Sequence, residues 1–220
     1  MISAGNAGGP AKAFDVLRQF TRRPRRAERC EMCSIEVSAD HPHLLEVAHR
    51  RLICVCGACA ILFSDQGSTK YKRVPRRVYL LRNFSMTAAQ WESLLIPINM
   101  AFFFRSSLER RVIAMYPSPA GATESLLPMD AWRDLERQNP QLVDMQSDVE
   151  ALLVNRVGEA RGVQPPEYYM LPIDECYKLV GLIRTHWRGF SGGAEVWQEI
   201  GKFFARLQSV TTVALGDRDA

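Results

Sequence analysis

Residues 30–63 read CEMCSIEVSADHPHLLEVAHRRLICVCGACAILF and hold five of the chain's six cysteines. Their order is C-x2-C, a gap of 22 residues, then a second C-x2-C, with Cys54 two residues ahead of that second pair. A metal ion needs thiolates converging on one point, and a two-residue gap lets both sulfurs of a pair face inward from one tight turn. Between the pairs, HLLEV from His43 and RLICV from Arg51 read as two strands of a hairpin joined at AHR. After Cys56 the run GACAILF can start a helix, which places Cys56 and Cys59 in its first turn, at the positive end of the helix dipole.

Knuckle, hairpin and helix start, in that order, resemble a treble-clef or zinc-ribbon-like module. The spacing predicts four ligands, Cys30, Cys33, Cys56 and Cys59, around Zn2+, which takes four in structural sites. Cys54 is then spare. On an extended strand it faces the same side as Cys56, so it is expected near the metal, as a packed thiol or an exchangeable ligand. Zinc is preferred to iron because so small a module buries little apolar surface, and structural zinc contributes roughly 10–16 kcal/mol to the folding of small fingers. Four thiolates suit iron as well, so a rubredoxin-like redox centre is the alternative. His41, His43 and His49 read as surface residues of the loop and hairpin. A catalytic metal site of the HNH-nuclease type, also built on a treble clef, needs an Asp-His pair and a histidine after the last cysteine, and neither is present.

The chain has 220 residues, 47% hydrophobic and 24% charged, a globular composition that excludes intrinsic disorder, a collagen-like fibre and a disulfide-stapled toxin. Its length suits one large domain or two small ones. The net charge of +4 hides a division: residues 1–82 carry 12 Arg and 3 Lys against 7 acids, a net +8, and the remainder carries 13 bases against 17 acids, a net −4. MISAGNAGGPAKAF at the N-terminus lacks the apolar core, roughly 7 to 15 residues, of a secretory signal. The expected location is therefore the reducing cytoplasm, where clustered thiols bind metal more often than they form disulfides. No apolar run approaches the roughly 20 residues of a membrane span; Leu94 to Phe104, broken by Pro97 and Asn99, reads as buried strand or core.

Four segments follow: a flexible basic arm over 1–27, the four-cysteine module over 28–82, an α+β domain over 83–210 and a polar tail over 211–220. The arm has a short amphipathic helix from Lys12 to Phe20, then Arg22, Arg23, Arg25, Arg26 and Arg29 around Pro24, read as a solvated arm or as a contact for phosphate or an acidic partner. QGSTKYKRVPRRVYLL interleaves Tyr71 and Tyr79 with Lys70, Lys72, Arg73, Arg76 and Arg77. It reads as a surface strand with a basic face rather than a platform for single-stranded nucleic acid. In the larger domain, Ser85 or Thr87 caps a helix through AAQWESLL, MAFFFR and RVIAMYP pair as antiparallel strands, and PSPAGATES is a loop. DAWRDLERQ is a helix capped by Asp130 and stopped at Asn139-Pro140. EYYMLPI is a strand, and DVEALLVNR is a strand that also reads as helix. Two helices close the domain: one capped by Asp174 and ended by Gly189, the other presenting Val196, Ile200, Phe203, Phe204 and Leu207 as one stripe.

The chain contains no nucleophile elbow, phosphate-binding loop, dinucleotide fingerprint or H-E-x-x-H. Two loops offer polar groups for an anion or small molecule: Ser118, Gly121, Thr123 and Glu124 in one, His186 and Arg188 in the other, with Glu124, His186 and Arg188 as the candidate trio. Cys176 reads as a small apolar residue of a helix.

CEMC, HPHLLEVAHRRLICVCGACAILF, WESLLIPINMAFFFRSS, YPSPAGATES, DVEALLVNR and PIDECYKLVGLIRTHWRGFSGG together resemble an uncharacterised bacterial family encoded beside nickel-iron hydrogenase genes. The resemblance spans about residues 28–208 and its cysteine pattern includes Cys54. It implies a cytoplasmic accessory protein acting in hydrogenase assembly, cofactor delivery or electron-transfer wiring, with a hydrogenase subunit or maturation factor as the expected protein partner. It transfers no activity. The expectation is thus an α+β chain with a small metal module and a larger domain ending in two helices, working as a zinc-binding adaptor. A rubredoxin-like iron protein and a nucleic-acid-binding zinc finger are the alternatives.

Overall fold

The computed structural model describes residues 28–64, 70–160 and 162–211. The helix expected from Lys12 to Phe20, the arginines up to Arg26 and the tail from residue 212 lie outside them.

The cysteine-rich segment forms the expected hairpin. Strands β1 (His43–Glu46) and β2 (Arg51–Cys54) pair antiparallel with His43 opposite Cys54 and Leu44 opposite Ile53, joined by a 3-10 turn over Val47–His49. Strand β3 (Tyr71–Arg73) adds to the other edge of β1, and helix α1 (Gly57–Leu62) follows β2. Alternation along the strands gives this small sheet two faces. Leu44 and Ile53 join Val55, Ala60, Cys30 and Cys59 in one core, whereas Leu45 and Leu52 turn the other way to pack with Val74 and with Val149 from the larger domain.

The basic stretch is not one surface strand. Pro75 interrupts it, since a proline brings no N–H to a ladder. β3 stays with the small sheet, β4 (Tyr79–Leu80) joins the large one, and Val74 and Val78 between them are buried.

Among the described residues the large sheet has six antiparallel strands in the order β4-β9-β8-β5-β6-β7. They are β4, β5 (Met100–Ser106), β6 (Arg111–Ser118), β7 (Gly121–Ser125), β8 (Glu150–Asn155) and β9 (Glu167–Pro172). Among the described residues the further helices are α2 (Ala88–Ser93), α3 (Met129–Gln138), α4 (Val157–Ala160), α5 (Ile173–His186) and α6 (Gly193–Val210). The apolar runs AFFF, ALLV and YYML are explained by burial on both faces. Phe102, Phe104, Leu153, Tyr169 and Leu171 meet α5 and α6 on one side. Phe103, Leu152, Val154 and Met170 meet Trp91, Trp132 and Leu135 on the other. The stripe expected on the last helix is this contact: Val196, Ile200, Phe203, Phe204 and Leu207 are all buried.

Three local readings are corrected. PSPAGATES is a hairpin, not a loop, because β6 runs through Ser118 and turns tightly into β7, with the Ser118 hydroxyl donating to the Gly121 carbonyl at 2.9 Å. Asp130 and Asp174 are not caps. The N-cap positions are Pro128 and Pro172, and both aspartates sit in the first turn, where their charge still suits the helix dipole. Gly189 does not end α5 either; Trp187 is its C-cap, and Gly189 lies two residues beyond at φ 62.

Candidate metal centre

The knuckle that holds Cys30 and Cys33 is closed by backbone hydrogen bonds. The N–H of Ser34 donates to the Cys30 carbonyl at 2.8 Å and that of Cys30 to the Ile35 carbonyl at 2.8 Å, with Ser34 in the left-handed region at φ 62. Glu31 fastens the knuckle to β2: its N–H donates to the Cys54 carbonyl, and its carboxylate accepts from the Cys54 N–H, both at 2.8 Å, and from Arg51 at 3.1 Å. On the far side β2 ends at Cys54 and the chain turns, so Cys56 becomes the N-cap of α1 with its sulfur accepting from the Cys59 N–H at 3.5 Å.

These local constraints bring Cys30, Cys33, Cys56 and Cys59 together, with their four sulfurs all within 4.8 Å of one another. The Cys33 and Cys56 sulfurs are 3.7 Å apart, close to the edge of about 3.8 Å that ~2.3 Å metal–sulfur bonds impose on a tetrahedron. Cys30 and Cys59 are buried, Cys56 is half-buried and Cys33 is exposed. None of the six cysteines, all of them described, is in a disulfide.

Burial and crowding split the titration of the cluster. Burial pushes the Cys30 thiol up, but the backbone around Cys56, Cys33 and Met32 outweighs it and brings the group down to about 6. Cys59 is pushed up to about 12, by burial first and then by its three neighbouring sulfurs. Crowded thiolates repel, so one ionises at the expense of another. A divalent cation reverses that repulsion by attracting every sulfur at once. The four cysteines are thus placed to hold a metal ion, and their donor chemistry fits zinc and iron alike.

Cys54 does not join them. The strand alternation that was expected to carry it to the side of Cys56 stops at the end of β2, and Cys54 keeps the face of its cross-strand partner His43. There it lies with His41 and His43, one ligating atom from each within 4.8 Å of the others. The reading of these two histidines as surface residues is also corrected. His41 is 8% exposed, and His43 is half-buried with its Nδ1 3.0 Å from Asp174 of α5. His49 is at the surface as expected, its side chain 74% exposed. The signal for the missed pair was H-x-H entering a strand, which puts both rings on one face.

Glu124, His186 and Arg188 have separate partners, and among the described contacts none links Glu124 to the other two. Glu124 lies on β7 and accepts from Arg111 at 2.7 Å, His186 pairs with Glu195 at 2.9 Å, and Arg188 donates to the Thr185 and Trp187 carbonyls. Their two loops do meet, at an apolar cavity of about 550 Å3 lined by Ile98, Tyr116, Pro119, Trp187, Trp197 and Ile200. Cys176 is fully buried in the core, as its sequence position suggests.

Among the described residues no helix is long and apolar enough to cross a membrane. Residues 29–211 match a family of unknown function, DUF5947, and the chain belongs to it. No curated protein and no solved structure matches the chain.

Proposed function

We propose that this member of an unknown-function family is a non-enzymatic accessory protein of the cytoplasm, in which zinc holds a treble-clef-like lobe that contacts a partner in nickel-iron hydrogenase assembly or maturation. The observation that carries the metal is the convergence of four sulfurs from two knuckles onto one point. Protein contact is supported by α1, whose Ile61 and Leu62 are 68% and 72% exposed beside the cluster. The unpaired thiols suit a reducing compartment. The hydrogenase setting rests on the sequence resemblance alone.

One observation favours an iron-containing redox protein as the second reading: Cys33 brings an edge of the cluster to the solvent, where electrons can be exchanged. Nucleic-acid binding draws less support. Lys72 and Arg76 of the basic stretch pair with Asp148 and Asp40, which leaves less charge for a phosphate backbone.

Metal analysis of the anaerobically purified chain, with a pull-down from a hydrogenase-producing host, tests these readings. Zinc that is lost in Cys56→Ser, together with recovery of a hydrogenase subunit or maturation factor, is the expected result. Iron with a reversible visible absorbance replaces the zinc reading with the redox one. A metal-loaded protein that recovers neither partner class removes the hydrogenase role.

A further inference from the structure

The face of the hairpin opposite the four thiolates is packed against the larger domain and borders an open cleft of about 290 Å3. His41, His43, Cys54 and Asp174 line it. Both histidines are held by their Nδ1 atoms. That of His41 lies 2.7 Å from the Ser38 carbonyl, and that of His43 lies 3.0 Å from an Asp174 carboxylate oxygen. A carbonyl or carboxylate oxygen only accepts, so each Nδ1 carries a proton, and in the neutral ring that a metal requires each Nε2 presents a lone pair. The His41 side chain is only 6% exposed, and its Nε2 has no hydrogen-bond partner among the described residues. An unpaired buried ring nitrogen is costly, and two imidazoles oriented through Nδ1–H by a carbonyl and a carboxylate are the usual outer-shell arrangement of metal-binding histidines. The third donor, Cys54, is fixed opposite His43 by strand register and by the bonds of its N–H and carbonyl to Glu31.

We propose that His41, His43 and Cys54 form a second metal site, separate from the four-thiolate cluster, for a divalent transition-metal ion of borderline softness. Two imidazoles and one thiolate are the donors such ions select over hard, oxygen-seeking cations. Three protein ligands leave a coordination position open toward the cleft, as in catalytic or exchangeable sites rather than closed structural ones. Asp174 is a positioning residue: one oxygen holds His43, and the other is buried, without a partner among the described residues, on the same cleft. It is available to a ligand in the open position. The two centres stand on opposite faces of one hairpin, and the second does not depend on which metal fills the first.

The test is a Co2+ titration of the full-length chain after its first equivalent of zinc is bound, followed by visible absorption and metal stoichiometry. A second equivalent is expected, with a sulfur-to-cobalt charge-transfer band. Cys54→Ser and His41→Gln each lose that equivalent and that band while keeping the zinc, which serves as the internal check on folding. Asp174→Asn keeps the band but weakens the second site by about 10- to 100-fold. A wild-type chain that binds a single equivalent overturns the site, as does a second equivalent that survives in both Cys54→Ser and His41→Gln. Loss of both metals in Cys54→Ser assigns Cys54 to the four-thiolate cluster and overturns it too.

Discussion

Asn139 shows how one buried side chain can join distant parts of the chain. Fully buried, it accepts from the Ser85 N–H at 2.8 Å and donates to the Ser85 and Leu135 carbonyls, both at 2.9 Å. It thereby ties the end of α3 to the segment leading into α2. Asn139→Ala leaves the N–H and carbonyl of Ser85 without their side-chain partner, whereas the Leu135 carbonyl keeps the backbone N–H of residue 139 at 3.1 Å, so a loss of about 1–3 kcal/mol is expected in urea denaturation; a loss no greater than that of the exposed Gln138→Ala would show that water replaces the amide. Sequence reading found Asn139 as a helix stop but not as a clamp, because its partner lies 54 positions away. The same separation of scales divides the two candidate metal sites. The four-thiolate spacing is local and legible. The histidine pair acquires its setting from Asp174, 131 positions on, and so read as surface.

At the scale of elements, the best-read features were those with a local cause. Thr87 caps α2 with a full capping box, its hydroxyl accepting from the Gln90 N–H while Gln90 accepts from the Thr87 N–H. Thr87→Ala is expected to cost about 1 kcal/mol by thermal denaturation, and an unchanged Tm would mean that packing of Trp91 alone holds the helix. Two glycines near the C-terminus separate backbone need from mere occurrence. Gly192 precedes α6 at φ 85, and a Cβ there would come within 2.8 Å of Val196 and 3.0 Å of Trp187. Gly181 sits inside α5, with nothing among the described residues within 4 Å of such a Cβ. Gly192→Ala should therefore destabilise by about 2 kcal/mol or more, whereas Gly181→Ala should stabilise by up to about 1 kcal/mol. Equal effects of the two would refute the conformational argument. The hairpin at Ser118 was missed because Pro, Gly and Ala mark turns, and only pairing with β6 makes GATES a strand.

Across the whole molecule, the charge division found in composition becomes an attraction between lobes. Lys72 reaches Asp148 at 2.6 Å, and Arg50 pairs with Glu109 and lies 3.7 Å from Glu124. The basic segment is thus partly neutralised by the acidic one. Such pairs position the small lobe without supplying its core. That core contains Leu44, Ile53, Val55 and Ala60, with Cys30 and Cys59 as its other buried members. The large domain, by contrast, buries both faces of its central strands β9, β8, β5 and β6 with apolar side chains alone. Binding energy that a metal gives only to the folded site is folding energy for the lobe that contains it. Chelation under reducing conditions should accordingly remove hydrogen-exchange protection from the amides of Leu44 and Ile53 while leaving those of Phe103 and Leu152 protected. The chain should then be cleaved within 28–64 by a trace of protease and yield a resistant fragment that retains the large sheet. Protection lost together in both groups would mean that the lobes fold as one unit, and protection retained in both would mean that docking on the sheet, not the metal, holds the small lobe.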